Sequence, residues 1–384
     1  MSTQAGKIAI ISPRYPPAAG GVEKHVEALA RGLVERNISV EVITTDPTGE
    51  LPKLQERDGV LVRRFPTIAN DAVFFVAPQL GRWLMEHAGE YSLIHAHSYH
   101  TPLALQAAWA AKQHGVPFIV TPHYHGTGHS PLRQFLHIPY RVFGTWMIRR
   151  AERVICVSSV EADLIREHFG QHIPTVVLPN GVETTAILKA EPFALSDGKL
   201  YILSVGRLEK YKQVDRIIQA LPELPEHVQV VIIGAGPEGE QLKSLARDLN
   251  VFERVRFLGR VPQAELLSWY RSAHAYVSMS QHEAFGITVL EAAVAGTPVI
   301  ASAIPAHQEV CGYAPAGRIK LIDLQASPAT MARAIMEAAQ LGRTDGIEGW
   351  PIPTWEAAVE GAIAIYRKVS QQPLVRSTYN EVMT

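Results

Sequence analysis

At 384 residues the chain is long enough for two domains, each with a core of its own. Hydrophobic residues make up 47% and charged ones 19%, which excludes a disordered chain, and 36 basic against 37 acidic residues leave a net charge of -1, no field to gather nucleic acid. The two cysteines, Cys156 and Cys311, are too few for a disulfide framework, and no run of about 18 apolar residues suggests a membrane span. With no signal-peptide pattern before Lys7, the expected compartment is the cytoplasm, with a membrane surface as a further option.

In chain order, apolar strands are predicted at 7–12, 39–44, 60–65, 93–97, 118–121, 154–157 and 176–178, with amphipathic helices at 22–36, 103–114 and 132–152. This alternation predicts a parallel sheet with crossover helices. Gly20 and Gly21, after Pro16 and Pro17, form a glycine turn into the first helix, where bare backbone can approach a phosphate or an acceptor. Taken alone, a plain loop would read the same way. Asn180 and Gly181 mark a strong turn, and 183–199 has no period and carries Pro192, Asp197 and Gly198, the features of a linker. The pattern then restarts with strands at 200–205, 228–233, 255–257, 275–278 and 299–301, and it closes on an amphipathic helix at 355–369. The fold class is therefore α/β. Two Rossmann-like domains, 1–187 and 200–368, are joined by 188–199, with a ligand expected between the carboxyl ends of their strands.

Two groups of residues carry chemistry. Arg207 and Lys212 lie just past the strand 200–205, where ligands bind in such sheets, and their spacing lets a forked guanidinium and a point charge reach one diphosphate. Glu283 and Glu291 are eight residues apart, with Gly286 opening onto an apolar helix whose N-terminus awaits an anion. A solvated Arg–Lys pair and an exposed helical glutamate are the commoner fates of such residues taken singly.

Three signals compete. Gly234, Gly236 and Gly239 satisfy the G-x-G-x-x-G pattern after a strand, a nicotinamide-dinucleotide fingerprint, but Pro237 inside the loop and its place in the second half argue against that. Eight of the 16 histidines fall between His95 and His137, with no cysteine or carboxylate cluster beside them, which favours core histidines over zinc ligands. The stretch 132–153 interleaves Arg133, Arg141, Arg149, Arg150 and Arg153 with Phe135, Tyr140, Phe143 and Trp146, and reads equally as a membrane face or as a helix covering the sheet. A second docking candidate is 71–87, with Val73, Phe74, Phe75, Val76 and Trp83.

The Glu-x7-Glu segment, the Arg207/Lys212 pair and the Gly20–Gly21 turn together resemble the family 4 glycosyltransferases, over nearly the whole chain. That resemblance implies the GT-B fold, with 1–187 as the acceptor-side domain, 200–368 as the nucleotide-sugar domain, and 369–384 returning to the first. It also implies a retaining hexosyl transfer to a carbohydrate or lipid-linked acceptor. In its terms His123, or its neighbour His125, orients the transferred sugar, and Arg207 and Lys212 hold the diphosphate. Glu283 lies beside the sugar with the backbone of Ala284, Phe285, Gly286 and Ile287, and Glu291 takes the ribose. Gly20, Gly21, Gly234, Gly236 and Val261 line the donor. No Asp-x-Asp occurs, in keeping with transfer that needs no metal and no cofactor. Glu183 after Asn180–Gly181, and Ala303–Ala306 before Glu309, depart from the family pattern. The donor leans to GDP-mannose, with a UDP-hexose close behind. A sugar-nucleotide epimerase and a non-catalytic sugar-nucleotide binder are the alternatives.

Overall fold

The computed structural model describes residues 6–18, 20–70, 74–126, 131–195, 197–344 and 346–370, with the side chains of 131–139 and 141 outside that description. The chain divides into two compact units, Met1–Gly181 with Trp355–Thr384, and Val182–Thr354.

The first unit runs β1 (Lys7–Ile11), α1 (Gly21–Glu35), β2 (Val40–Asp46), β3 (Leu54–Arg57), β4 (Val60–Pro66), α2 (Pro78–His87), β5 (Tyr91–His97), α3 (Pro102–His114), β6 (Phe118–Thr121), α4 (Pro131–Arg150), β7 (Arg153–Cys156), α5 (Ser159–Phe169) and β8 (Thr175–Val177). The strands form one sheet in the order β3-β4-β2-β1-β5-β6-β7-β8, parallel except for the β3–β4 hairpin. Every residue of β2 and β5 is buried, as a sheet covered by helices on both faces demands. The order reverses between β1 and β5, so the loops after those strands flank the switch point where α/β sheets bind ligands.

The second unit runs α6 (Thr184–Lys189), β9 (Leu200–Val205), α7 (Val214–Ala220), β10 (Val228–Ile233), α8 (Gly239–Asp248), β11 (Val255–Gly259), α9 (Gln263–Ser272), β12 (Ala275–Ser278), α10 (Ile287–Val294), β13 (Val299–Ser302), α11 (Pro305–Cys311), β14 (Ile319–Ile322) and α12 (Pro328–Leu341). Its sheet is ordered β11-β10-β9-β12-β13-β14 and is wholly parallel. Here the switch point falls between β9 and β12.

The last helix, α13 (Trp355–Val369), belongs to the first unit, not to the second domain that the sequence boundary of 368 implies. Its buried stripe of Val359, Ala362, Ile363 and Tyr366 joins the core of Ile8, Val26, Leu29 and Leu33. Gly32 makes the approach close: a Cβ there would lie 2.5 Å from Val359 Cγ2. The proposed linker also changes. Its first residues form α6, which packs on α9 and α10, so the second unit starts at Val182. The tail beyond Ser370 and Val73 of the second docking candidate lie outside the described residues.

Candidate functional site

In the second unit the switch point gathers the predicted cations and carboxylates. Arg207 leaves β9 and Lys212 closes a short 3-10 turn at 210–212, while Ser280 and Glu283 lie in the loop after β12. Lys212 Nζ donates to Glu283 Oε1 at 2.5 Å, and Ser280 Oγ donates to the same oxygen at 2.8 Å. Their side chains are 17% and 16% exposed, so the pair is shielded but open on one side. Burial alone would raise the Glu283 carboxyl, but the Lys212 ammonium overcomes this and holds it down at about 2. Burial works against the Lys212 charge as well, and the Glu283 carboxylate keeps its pKa above the ordinary lysine value. Both groups are therefore ionised at neutral pH. Arg207 is half exposed, with Nη2 3.4 Å from the Tyr211 hydroxyl, and Tyr211 stacks on His282 at 4.7 Å.

The second glutamate is not an exposed helical residue. Glu291 lies on the second turn of α10, is 3% exposed, and accepts from the Tyr270 hydroxyl at 3.1 Å. Gly286 precedes α10 at φ +98°, a left-handed conformation, follows the buried Phe285, and opens a helix whose first amides, those of Ile287 and Thr288 among them, have no intrahelical acceptor. A residue that sequence analysis did not single out stands behind this turn. His307, on α11, is fully buried, donates through Nδ1 to Ser302 O (2.9 Å), and has no partner at Nε2. It lies 3.1 Å from where a Gly286 Cβ would stand, and Glu283 acts on its charge. Its place directly after the Ala303–Ala306 departure from the family pattern was the available signal.

The G-x-G loop has a structural reason for its glycines. A Cβ on Gly234 (φ +139°) would stand 1.8 Å from Gly206 O, and one on Gly236 2.3 Å from Leu208 O. Leu208 N donates to Ala235 O at 3.1 Å and Glu238 N to Leu208 O at 3.0 Å. These glycines press the loop onto the segment that carries Arg207. Gly234 N donates to Gly259 O at 2.7 Å, which sets the loop bearing Val261 beside it.

In the first unit, Gly20 and His123 come from the loops after β1 and β6. Gly20 has an extended φ of 169° and needs no glycine on that account, but a Cβ would fall 2.2 Å from Glu23 Oε2. The Glu23 carboxylate thus folds over the N-terminus of α1, where it also meets Arg14 Nε at 2.8 Å, while Gly21 faces open space. His123 has φ +49°, an uncommon conformation for a residue with a side chain, and costs about 1–3 kcal/mol. The neighbouring backbone is held by Glu161, which accepts from Tyr124 N at 2.5 Å and from Val157 N at 2.7 Å. Burial pushes the Glu161 carboxyl up to about 8 despite these two donors. The structure also separates His123 from His125. His125 stacks on His100 at 5.1 Å, whereas His123 lies 5.2 Å from His25 and 5.6 Å from His97. Burial lowers the pKa of His123 and His97 well below the ordinary value, so both rings are neutral at pH 7.

Among the described side chains of α4, Val142 and Phe143 are exposed, and Trp146 packs against Trp109 at 5.8 Å. No helix among the described residues is long and apolar enough to cross a membrane.

Comparison with known proteins agrees with this architecture. Residues 19–186 match the model of "Glycosyltransferase Family 4", and 188–345 that of "Glycosyl transferases group 1". A D-inositol 3-phosphate glycosyltransferase of Streptomyces scabiei is 30% identical over 76% of this chain and 74% of its own. Among solved structures, sucrose-phosphate synthase from Thermosynechococcus elongatus superposes with a TM-score of 0.80 at 22% identity, covering 94% of this chain and 98% of that one. HepE from Anabaena, solved with UDP-glucose, gives 0.71 at 20% identity, covering 95% of each chain. Two Rossmann-like units and these matches define a GT-B glycosyltransferase, a hexosyl-transferring enzyme. The chain belongs to glycosyltransferase family 4.

Proposed function

We propose that the protein is a retaining hexosyltransferase that takes its sugar from a nucleoside diphosphate without a metal ion. The Lys212–Glu283 ion pair beside Arg207 and the N-terminus of α10 carries this reading. An ammonium has three N–H donors. With one directed to Glu283, two remain for phosphate oxygens, and the exposed Arg207 supplies a second cation. Charge grows on the β-phosphate as the sugar leaves, so cations preorganised there stabilise the transition state more than the ground state.

In the retaining course, the acceptor oxygen bonds to the anomeric carbon on the face from which the phosphate oxygen departs. The acceptor proton passes to that departing oxygen. No protein nucleophile is needed, and the neutral His123 ring can donate or accept a hydrogen bond at a sugar hydroxyl.

Of the two donors named from sequence, a UDP-hexose is favoured over GDP-mannose by the similar structures solved with UDP and UDP-glucose. The curated relatives named D-inositol 3-phosphate glycosyltransferases put phosphorylated cyclitols first in an acceptor screen, ahead of free sugars and lipid-linked sugars. The exposed Val142 and Phe143 support peripheral membrane contact if the acceptor is lipid-linked.

Calorimetry of the full chain with UDP, GDP, ADP and NAD, in EDTA, tests this. Binding of one nucleoside diphosphate supports it and identifies the base. Binding of NAD alone would overturn it. Release of nucleoside diphosphate only when acceptor is present separates a transferase from an epimerase or a non-catalytic binder.

A further inference from the structure

Three histidines that are far apart in sequence converge in the first unit. His25 comes from α1, His97 from the end of β5 and His123 from the loop after β6. One ring nitrogen of each lies within 4.8 Å of the others.

The hydrogen bonds around them leave lone pairs to spare. His25 Nδ1 lies 2.6 Å from Asn180 Oδ1. An amide oxygen only accepts, so Nδ1 carries the hydrogen and Nε2 keeps its lone pair. A histidine fixed in this way by an outer oxygen is the usual arrangement at a zinc ligand. His97 Nδ1 and His123 Nε2 face each other at 3.3 Å. That is long for a hydrogen bond, but it is about the edge of a tetrahedron whose Zn–N bonds are about 2.0–2.1 Å. With Nδ1 as the ligand atom, His97 Nε2 carries the hydrogen; it is buried and has no acceptor, so only His25 has an outer partner of this kind. His95 cannot join, because its nitrogens are engaged by the Tyr366 hydroxyl at 2.7 Å and Thr121 Oγ1 at 2.8 Å. His123 is only partly buried, which leaves one side of the cluster open.

We propose that His25, His97 and His123 form a three-histidine site for a borderline-soft divalent ion, zinc above all, with Asn180 as the outer partner that orients His25. An all-imidazole set selects zinc, cobalt, nickel or copper and rejects magnesium and calcium, which require oxygen. Three protein ligands leave a fourth position for water or a substrate oxygen. All three ligands belong to the first unit. The site's effect on transfer does rest on the reading of His123 given above, since an ion bound there would take the ring from the sugar. The site itself does not depend on that reading.

The test uses the full, untagged, metal-free chain titrated with Co2+ as a spectroscopic probe, and then with Zn2+ in competition. The expected result is one equivalent of Co2+ with the visible absorption of a tetrahedral nitrogen site, displaced by Zn2+ and untouched by Mg2+. His97→Asn should abolish the absorption, and Asn180→Ala should weaken binding about 10- to 100-fold. If His97→Asn does not fold, His25→Asn takes its place, and the wild-type titration stands by itself. No tetrahedral absorption in the wild-type chain, or an absorption that survives both ligand substitutions in folded protein, overturns the proposal. UDP calorimetry on the same samples reports separately on the donor site, so the two readings can fail independently.

Discussion

Replacing Lys212 with methionine keeps the stem of the side chain and removes its charge, leaving the Glu283 carboxylate with Ser280 and the nearby His307. The fall of the Glu283 pKa from 4.5 to about 2 is what remains after burial, which raises it, is set against its partners, with Lys212 the largest of the favourable ones. At about 1.4 kcal/mol per pH unit this is about 3 kcal/mol. A depressed carboxyl stabilises the fold above its unfolded pKa, and that stability is lost as pH falls through the folded value. Lys212→Met should therefore cost about 3 kcal/mol in urea denaturation at pH 7. The gap should narrow between pH 7 and pH 5, because burial makes the bare carboxyl take up a proton early. Adding Glu283→Gln should recover stability to within about 1 kcal/mol, since removing both members of a shielded pair is far milder than removing one. Transfer should not recover: each variant should lose about 10²- to 10³-fold in kcat, the worth of one preorganised donor to developing charge. Two results would sink this reasoning. One is Lys212→Met with near-normal kcat, and the other is a stability loss equal at pH 7 and pH 5, which would mark lost packing rather than lost charge.

Gly236→Ala places a methyl 2.3 Å from Leu208 O, so the loop must move off the Arg207 segment; we expect a loss of about 2 kcal/mol or more in thermal denaturation and weaker nucleoside diphosphate binding, with no NAD binding in either protein. Glu161 has its folded pKa raised to about 8 from 4.5, so its stabilisation is complete below pH 4.5 and is lost as pH rises through 8. Glu161→Gln, which cannot ionise but turns one of the two accepting oxygens into an amide nitrogen, should flatten that decline, which amounts to at most about 5 kcal/mol, and a variant with the wild-type pH profile of stability would refute the assignment. Val142→Ser with Phe143→Ser should reduce co-sedimentation with anionic lipid vesicles and leave UDP calorimetry unchanged; equal co-sedimentation would remove α4 from the membrane reading.

Most strands, the doubly wound α/β class and the two-unit plan were legible in the chain, because a strand covered on both faces must be a short apolar run and a crossover helix must be amphipathic. The pairs Arg207/Lys212 and Glu283/Glu291 were legible too, since their spacings place them at strand ends and a helix start whatever else surrounds them. Edge elements were not. β3 alternates exposed and half-buried residues, and β14 is four residues long, so neither has a strong apolar signal. The boundary at 368 failed for a related reason: an amphipathic stripe announces that α13 must be covered but does not say by which unit, and only the fit of Val359 against Gly32 answers that.

Composition, charge and local pattern thus determined the class of fold and which charged residues stand at the strand ends and the helix start, because these depend on neighbours a few positions away. Burial and convergence belonged to the tertiary structure alone. It decided that Glu291 is enclosed, that His307 backs Gly286, that the Gly234 loop braces the Arg207 segment, and that His25 meets His97 and His123. Each of these is a contact made across a sheet by residues from different crossovers, and sequence spacing carries no record of such distances.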